Sequence, residues 1–292
     1  MSGMRPRIRV VAAVCSLFLL AACASQVSGN ASTSDYADPR GPTVIGNDTS
    51  AESRVVAALY GALLTGAGEK VRMATTRYTS AADTTRAVVE GKLDLAPAYE
   101  STVLRALPGG QIAPGDLAAT LSMALPMGID ALPPAAAQRG IVLAVGRDTA
   151  RRHGLRTIAD LRELGRPLTL GGPASGDPEA PSVSSLAKVY GVTFVAWGTS
   201  TATDVLVLRG TDPLIARRGL AVLADPGGVI APEHVFPLVG APYAGLKARK
   251  ALGRVSVPLT TEELAVLTAS VNAGKDPSEV ARTWLRAKGL LG

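Results

Sequence analysis

Cysteine, histidine and aromatic residues are all scarce in this chain, and each shortage removes a class of chemistry. Only two cysteines occur, Cys15 and Cys23, both ahead of the folded body, so no disulfide can staple that body. The two histidines, His153 and His234, stand far apart, and His153 adjoins Arg151 and Arg152, a poor place for a cation. Metal sites need several His, Cys or carboxylate ligands at short spacing, so neither a metal nor a cofactor is expected. Aromatics make up 4% of the 292 residues and hydrophobic residues 47%, so the core has to be built from Ala, Val and Leu. That composition favours packed helices and sheet, in one large domain or two lobes. Also missing are Gly-x-Ser-x-Gly, His-Glu-x-x-His and the Walker Gly-x-x-x-x-Gly-Lys. Gly171-Gly-Pro-Ala-Ser-Gly176 is Gly-rich, but Asp177 follows where a phosphate site wants Lys, and the stretch is read as a plain loop. No enzyme is expected. The basic clusters Arg151-Arg152, Arg217-Arg218 and Lys247 to Lys250 lack interleaved aromatics, so they read as solvated faces and no nucleic-acid partner is expected.

What the chain does have begins with a targeting segment over residues 1–22. Arg5, Arg7 and Arg9 form a positive region, Val10 to Leu20 an apolar run, and Leu20-Ala-Ala-Cys23 its end. The run is too short for a comfortable membrane span, which takes about 20 residues. Leu-Ala-Ala-Cys resembles a bacterial lipobox, which implies cleavage before Cys23 and a lipid on its sulfur; an ordinary secretory signal is the alternative. Export follows either way. Removing residues 1–22 leaves 27 basic residues against 24 acidic ones, which lowers the formal net charge from +6 to +3. Residues 23–41, rich in Ser, Ala, Asn, Asp and Gly, read as a flexible tether.

From Thr43 onward, strand and helix signals alternate, which predicts a parallel, crossover-connected sheet. Thr43 to Gly46 reads as a strand, and Asn47-Asp-Thr-Ser50 offers caps for a helix with Val55, Leu59, Ala62 and Leu63 on one face. Ser80-Ala-Ala-Asp83 resembles a capping box, with Asp in place of Glu. Ile141 to Val145 is an apolar run fit for a strand buried on both faces. Thr157-Ile-Ala-Asp160 predicts a capped helix to Leu164, and Asp276-Pro-Ser-Glu279 opens another with Pro at its first position.

The most informative stretch is Gly91-Lys-Leu-Asp-Leu-Ala-Pro-Ala-Tyr-Glu-Ser-Thr102. Leu93 and Leu95 alternate as in a short strand, and Pro97, which cannot donate to a ladder, is expected to end it. Tyr99, Glu100, Ser101 and Thr102 then fall at the strand's C-terminal edge, where open α/β sheets bind ligands. The plainer reading is a strand, a turn and a cap.

This stretch resembles the Gly-x-Ile-Asp-Leu-x-Pro-Glu-Tyr-Thr-Gly-Thr signature of the osmoprotectant (glycine betaine/choline) substrate-binding lipoproteins of ABC importers. Thr43 to Glu52, Leu155 to Leu161, Leu259 to Leu264 and Lys275 to Leu285 are similar to other segments of that family in the same order. The resemblance runs from about Thr43 to Gly292. It implies an α/β, two-lobed type II periplasmic-binding-protein fold with a hinge of two crossing strands. Its lobe one would hold 42–138 and 236–292, and its lobe two 139–235. It further implies a small-molecule solute, an ABC permease partner, and an extracytoplasmic protein held at the cell membrane through a lipid anchor at Cys23. The ligand-binding residues it points to are Asn47, Asp48, Thr49, Ser80, Tyr99, Ser101, Thr102, Thr211, Asp212 and Glu233. Asp48 and Glu233 read equally well as surface charges, and Ser80 as a cap.

Departures from the family pattern matter for the ligand. The family surrounds a quaternary ammonium with aromatic rings, and Tyr99 falls on one such position. Ala98 and Ser101 stand where the family has Glu and Gly, while Ile141 and Glu233 replace two tyrosines. Each cation–π contact is worth roughly 0.5–2 kcal/mol, so losing two costs up to about 4 kcal/mol, close to about a thousandfold in affinity. The segment between Tyr190 and Thr211 is also shortened, as though a helix and a strand were missing. The expectation is therefore a transport architecture that binds a small polar or quaternary-ammonium solute, with the more polar solute favoured. An envelope interaction lipoprotein with a degenerate cleft is the alternative. An extracytoplasmic enzyme would require a nucleophile–base pair in the cleft.

Overall fold

The computed structural model describes residues 41–108, 117–177, 179–231, 233–240 and 245–291. The expected targeting segment 1–22, Cys23 and the tether through residue 40 lie outside the described residues. Among the described residues, no helix is long and apolar enough to cross a membrane.

The elements follow in chain order. The first group is β1 (Thr43–Ile45), α1 (Ala51–Gly66), β2 (Val71–Met73), α2 (Ala81–Val89), β3 (Leu95–Tyr99), α3 (Glu100–Ala106), α4 (Leu117–Ala124) and β4 (Ile129–Ala131). The second is β5 (Ile141–Gly146), α5 (Arg147–His153), a 3-10 helix (Ile158–Leu164), β6 (Leu168–Gly171), α6 (Val183–Tyr190), β7 (Phe194–Gly198), β8 (Val205–Arg209), α7 (Pro213–Arg217) and β9 (Leu220–Leu223). Last come β10 (Val235–Gly240), α8 (Leu246–Gly253), α9 (Thr261–Asn272) and α10 (Pro277–Ala287).

Two five-stranded sheets result, one ordered β2-β1-β3-β10-β4 and the other β7-β6-β8-β5-β9. The first sheet takes its strands from both ends of the chain, and the second is made wholly from the middle. Parallel pairing holds for β1 with β2 and β3, whereas β10 runs antiparallel to both β3 and β4. The expected all-parallel sheet is thus mixed, because β10 re-enters from the second sheet against the direction of its neighbours.

Pro97 does not end its strand. β3 runs through it to Tyr99, and Pro97 faces Pro237 on β10. A rung between two prolines can only be a non-hydrogen-bonded one, so both missing donors coincide where neither is needed. On its other side, β3 pairs with β1 only at Leu95, next to the end of β1. Nothing there calls for the donor that Pro97 lacks.

Both faces of the first sheet are covered, which explains why every residue of β3 and β10 is buried. One face packs Ile45, Leu95 and Val239 against Val55, Leu59 and Leu63 of α1, Leu264 and Leu267 of α9, and Leu285 of α10. The other packs Ala96, Ala98 and Phe236 against Val88 of α2 and Val103 and Leu104 of α3. In the second sheet β5 lies between β8 and β9, and its Ile141, Leu143 and Val145 meet Ile158, Leu161 and Leu186. The segment at Thr157 keeps its predicted capping box with Asp160 but opens a 3-10 helix rather than an α-helix.

The connection from β7 to β8 has no helix. Both strands run parallel to β6, and Leu170 near the end of β6 already pairs with Val205 at the start of β8. Residues 199–204 therefore need only cross the end of β6. This stagger accommodates the shortened segment.

Two adjacent segments join the sheets. Gln138 bridges His234 in antiparallel fashion, the Arg139 amide donates to Glu233 carbonyl at 2.9 Å, and the Ala135 amide donates to Val235 carbonyl at 2.8 Å. This is a hinge of two crossing strands.

Candidate functional site

The pairing of β3 with β10 carries Tyr99 to the end of its strand, opposite Val235, where the crossing segments meet the first sheet. Its ring is 1% exposed and belongs to the apolar core, so the phenol must find a partner inside the protein. It donates to Glu52 Oε1 at 2.5 Å. Glu52 lies in the first turn of α1, where the free amides and helix dipole favour a carboxylate. Its second oxygen accepts from Thr211 Oγ1 at 2.7 Å, a bond from the loop after β8. Burial, then the Glu52 charge, push the Tyr99 phenol well above its usual range.

Above the Tyr99 ring lies the guanidinium of Arg139, its Cζ 3.7 Å from the ring centroid. Arg139 Nη2 donates to Thr102 Oγ1 at 3.3 Å, and Nε lies 3.8 Å from Glu233 Oε2, too far for a hydrogen bond. Arg139 Nε and Glu233 Oε2 are buried without a hydrogen-bond partner among the described residues. Burial acts to lower the Arg139 pKa, but Tyr99, Glu52 and Glu233 raise it, so the guanidinium stays charged.

Glu233 Oε1 accepts from the Ser101 amide at 2.7 Å and also from the Ser101 hydroxyl. That hydroxyl lies 2.9 Å from Glu179 Oε1 as well, and it has one proton for two carboxylates. Burial, followed by the Glu179 charge, raises the Glu233 pKa. Glu179 is held by Arg105 and by Arg209 Nη1 at 2.6 Å, and Arg209 also pairs with Asp177. Gly172 makes this loop possible: its φ is +134°, and a Cβ there would stand 2.5 Å from the Val207 carbonyl oxygen. At the far side, Glu100 accepts from the His234 amide at 2.6 Å and faces His234 Nδ1 at 3.1 Å. The network sets five carboxylates, Glu52, Glu100, Asp177, Glu179 and Glu233, against the guanidinium groups of Arg105, Arg139 and Arg209. Counted with every carboxyl ionised and His234 neutral it has two surplus negative charges, a formal excess that disfavours an anionic ligand and that the raised pKa of Glu233 and of His234 reduces.

Of the residues singled out from sequence, Tyr99, Ser101, Thr102, Thr211 and Glu233 are brought together here. Glu233, at 1% exposure, is the reverse of a surface charge, and Asp48, at 5%, is buried too. Asp48 serves its own turn: Oδ1 accepts from the Ser50 amide at 2.7 Å, and its amide donates to Ser53 Oγ at 3.0 Å. Asn47 donates to the Asp48 carbonyl at 2.7 Å, and Thr49 is exposed. Ser80 is exposed and completes a capping box with Asp83. Asp212 caps α7, accepting from the Leu214 amide at 2.8 Å.

Sequence reasoning missed Glu52, Arg105, Arg139, Asp177, Glu179, Arg209 and the pairing of Glu100 with His234. Arg139 left one trace, a guanidinium just ahead of the apolar run that forms β5. Asp177 and Glu179 follow directly on the Gly171 to Gly176 loop, and nothing local marks them.

A cavity of about 860 Å³ lies beside this network, between the second sheet and α9. Val142, Leu220, Val222, Ala265 and Val266 line it, and Asp212 stands at its wall. It is mainly apolar. The polar chemistry sits next to it, at Tyr99 and Glu233.

A protein family described as the substrate-binding domain of ABC-type glycine betaine transport systems matches residues 41–287. Among solved structures, a glycine betaine/carnitine/choline ABC transporter protein superposes with a TM-score of 0.75 at 18% identity, covering 85% of this chain and 99% of that one. YehZ from Escherichia coli in its apo form gives a TM-score of 0.72 at 21% identity, with the same coverage of 85% and 99%. A choline-binding protein of an ABC transporter, in complex with choline, gives 0.51 at 14% identity over 85% of this chain and 89% of that chain. At these identities the likeness is one of fold.

Proposed function

The chain belongs to the family of substrate-binding domains of ABC-type glycine betaine transport systems, and we propose that it captures a small polar solute between two lobes and delivers it to an ABC permease. Lobe one comprises 42–138 and 236–292, lobe two 139–235, and the crossing strands act as the hinge. The protein works outside the cytoplasm, tethered through residues 23–41 to a lipid on Cys23. It binds and releases its solute without catalysis.

One observation carries the choice of solute. The Tyr99 face already bears a cation, the Arg139 guanidinium, while Arg139 Nε and Glu233 Oε2 are buried and unpaired 3.8 Å apart. A quaternary ammonium has no hydrogen bond to offer either atom and would have to displace Arg139 from the ring. A solute with both a donor and an acceptor satisfies both atoms, and leaving such groups unpaired costs about 1–3 kcal/mol each. The surplus negative charge disfavours anions. Neutral polar solutes, and zwitterions whose ammonium carries N–H donors, remain, approached from the lobe-two side by Thr211 and Glu233 and from lobe one by Tyr99, Ser101 and Thr102.

A second reading has its own support: the interface closes on itself, Glu52 to Thr211 and Ser101 to Glu179, with side chains of the chain alone. An interaction lipoprotein with a permanently closed cleft fits that arrangement. Titration calorimetry separates the two, using glycine betaine, choline, zwitterionic amino acids and neutral polyols. Micromolar binding of a polar member is expected. Micromolar or tighter binding of glycine betaine or choline would overturn the polar-solute reading, and silence across the panel favours the interaction lipoprotein.

A further inference from the structure

Three arginines serve the network, Arg139 and Arg209 half-buried and Arg105 exposed, and they are held in very different ways. Arg209 is gripped by two carboxylates, Glu179 at 2.6 Å and Asp177. Arg105 pairs with Glu179 and also donates to Ser101 Oγ at 3.1 Å. Arg139 has five N–H donors and makes one side-chain hydrogen bond among the described residues, the 3.3 Å contact to Thr102. Its Nε is unpaired, and its nearest carboxylate oxygen is 3.8 Å away. What holds this guanidinium is the Tyr99 ring, with its Cζ 3.7 Å from the centroid, together with the surrounding negative charge. Its main chain is fixed on the crossing strand by the bond from the Arg139 amide to the Glu233 carbonyl at 2.9 Å.

We infer that Arg139 is a tethered internal cation that occupies the Tyr99 face and thereby decides which external cations the cleft admits. The inference rests on the solute reading above and deepens it, since it names the residue that turns quaternary ammonium ions away. A guanidinium over an aromatic face uses the same attraction as an external ammonium, so the two compete for one ring. The tether gives Arg139 a high effective concentration, so a free ammonium has to overcome it. Because Arg139 is not locked by a bidentate carboxylate, removing it leaves the ring, Glu52 and Glu233 in place. The vacated face then has one more uncompensated negative charge beside it.

The test uses the full chain, as wild type, Arg139→Ala, Arg139→Gln and Arg139→Lys, titrated with tetramethylammonium, choline and methylguanidinium. The Ala and Gln variants are expected to bind tetramethylammonium and choline about tenfold tighter than wild type, the range of one cation–π contact. Methylguanidinium should raise the melting temperature of the Ala variant and leave that of wild type unmoved. Arg139→Lys keeps a charge over the ring and should stay within about threefold of wild type. Adding Tyr99→Leu to Arg139→Ala should abolish the gain, which separates the ring from a general effect of charge. Equal affinity in wild type and in whichever of the Ala and Gln variants melts cooperatively would overturn the inference. So would a gain that survives the loss of Tyr99. If wild type itself binds choline at micromolar concentration, the polar-solute reading falls, and the comparison of variants still decides the role of Arg139.

Discussion

In the turn between β1 and α1, polar groups find their partners close by in sequence. Asn47 and Asp48 are neighbours, Asp48 meets Ser50 and Ser53 two and five residues on, and Ser50 caps Ser53. Where β3 passes directly into α3, the partners are remote. Tyr99 bonds to Glu52 across 47 positions, Ser101 to Glu179 and Glu233 across 78 and 132, and Glu100 to His234 across 134. Both junctions link a strand of one sheet to a helix, and both are rich in hydroxyl and carboxylate groups. The first satisfies its backbone as the helix forms and needs nothing else from the protein. In the second, Tyr99 is satisfied across its own lobe, and Ser101 and Glu100 are satisfied only when Glu179 and the crossing segment at Glu233 and His234 reach the first sheet. A polar junction therefore marks a functional cleft when its neighbours in sequence leave its side chains unpartnered. Glu52 links the two regions, since it belongs to the first helix and reaches Thr211 across 159 positions.

The sharpest way to break this contrast is to remove Glu52. Glu52→Ala deletes two hydrogen bonds to a buried charge, each worth about 1.5–3 kcal/mol, and orphans the Tyr99 phenol. A loss of about 3 kcal/mol in unfolding free energy is expected by urea denaturation. Glu52→Gln retains one carbonyl acceptor and should lose about half as much. A cost below about 1 kcal/mol for Glu52→Ala would mean that the remote bonds matter no more than a local cap, and the comparison would fail.

The same contrast explains what could be read from the chain. Local features were legible: the Ser80 capping box with Asp83, the Asp276 cap accepting from Ser278 and Glu279 at 2.8 and 3.0 Å, and the doubly buried run of β5. Each depends on residues a few positions apart. Pro97 was misjudged because its fate depends on Pro237, a partner that no local window contains. Glu233 and Asp48 look like surface charges until the crossing strands bury one and the β1 turn buries the other. Arg105 and Arg209 converge on Glu179 across 74 and 30 positions, and nothing near any of the three announces the others. Tyr99 stands out in the sequence because it falls at the edge of a strand inside a family-like segment. The cation on its face does not.

A smaller effect tests the local side of the comparison. Ser80 accepts from the Asp83 amide at 3.2 Å and is exposed, so its structural work ends within its own helix. Ser80→Ala should cost about 1 kcal/mol in unfolding free energy, the usual value of an N-cap. Affinity for whichever polar solute the calorimetric panel identifies should not change. A drop in affinity of about tenfold without further loss of stability would return Ser80 to the cleft and blur the distinction between the two junctions.

The smallest expected effect concerns protons at the remote junction. The Glu100 carboxylate beside His234 raises the histidine pKa against the opposing pull of burial, and Glu233 adds to the rise. A group whose pKa is raised on folding contributes stability that is complete below its unfolded value, about 6.5 for histidine. That contribution is lost as pH climbs through the raised folded value. Glu233 is raised as well, chiefly by burial, so its loss on rising pH has the same sign and begins from the carboxylate range. Wild type alone therefore cannot apportion a decline between pH 6 and pH 8, and the variant His234→Gln is needed. His234 is 28% exposed and partly screened, so the share it carries should be under about 1 kcal/mol. Urea denaturation at several pH values should show wild type losing stability relative to His234→Gln as pH rises through neutrality. Parallel curves would show that the Glu100–His234 bond is held by its main-chain amide alone. The remote junction would then owe nothing there to charge.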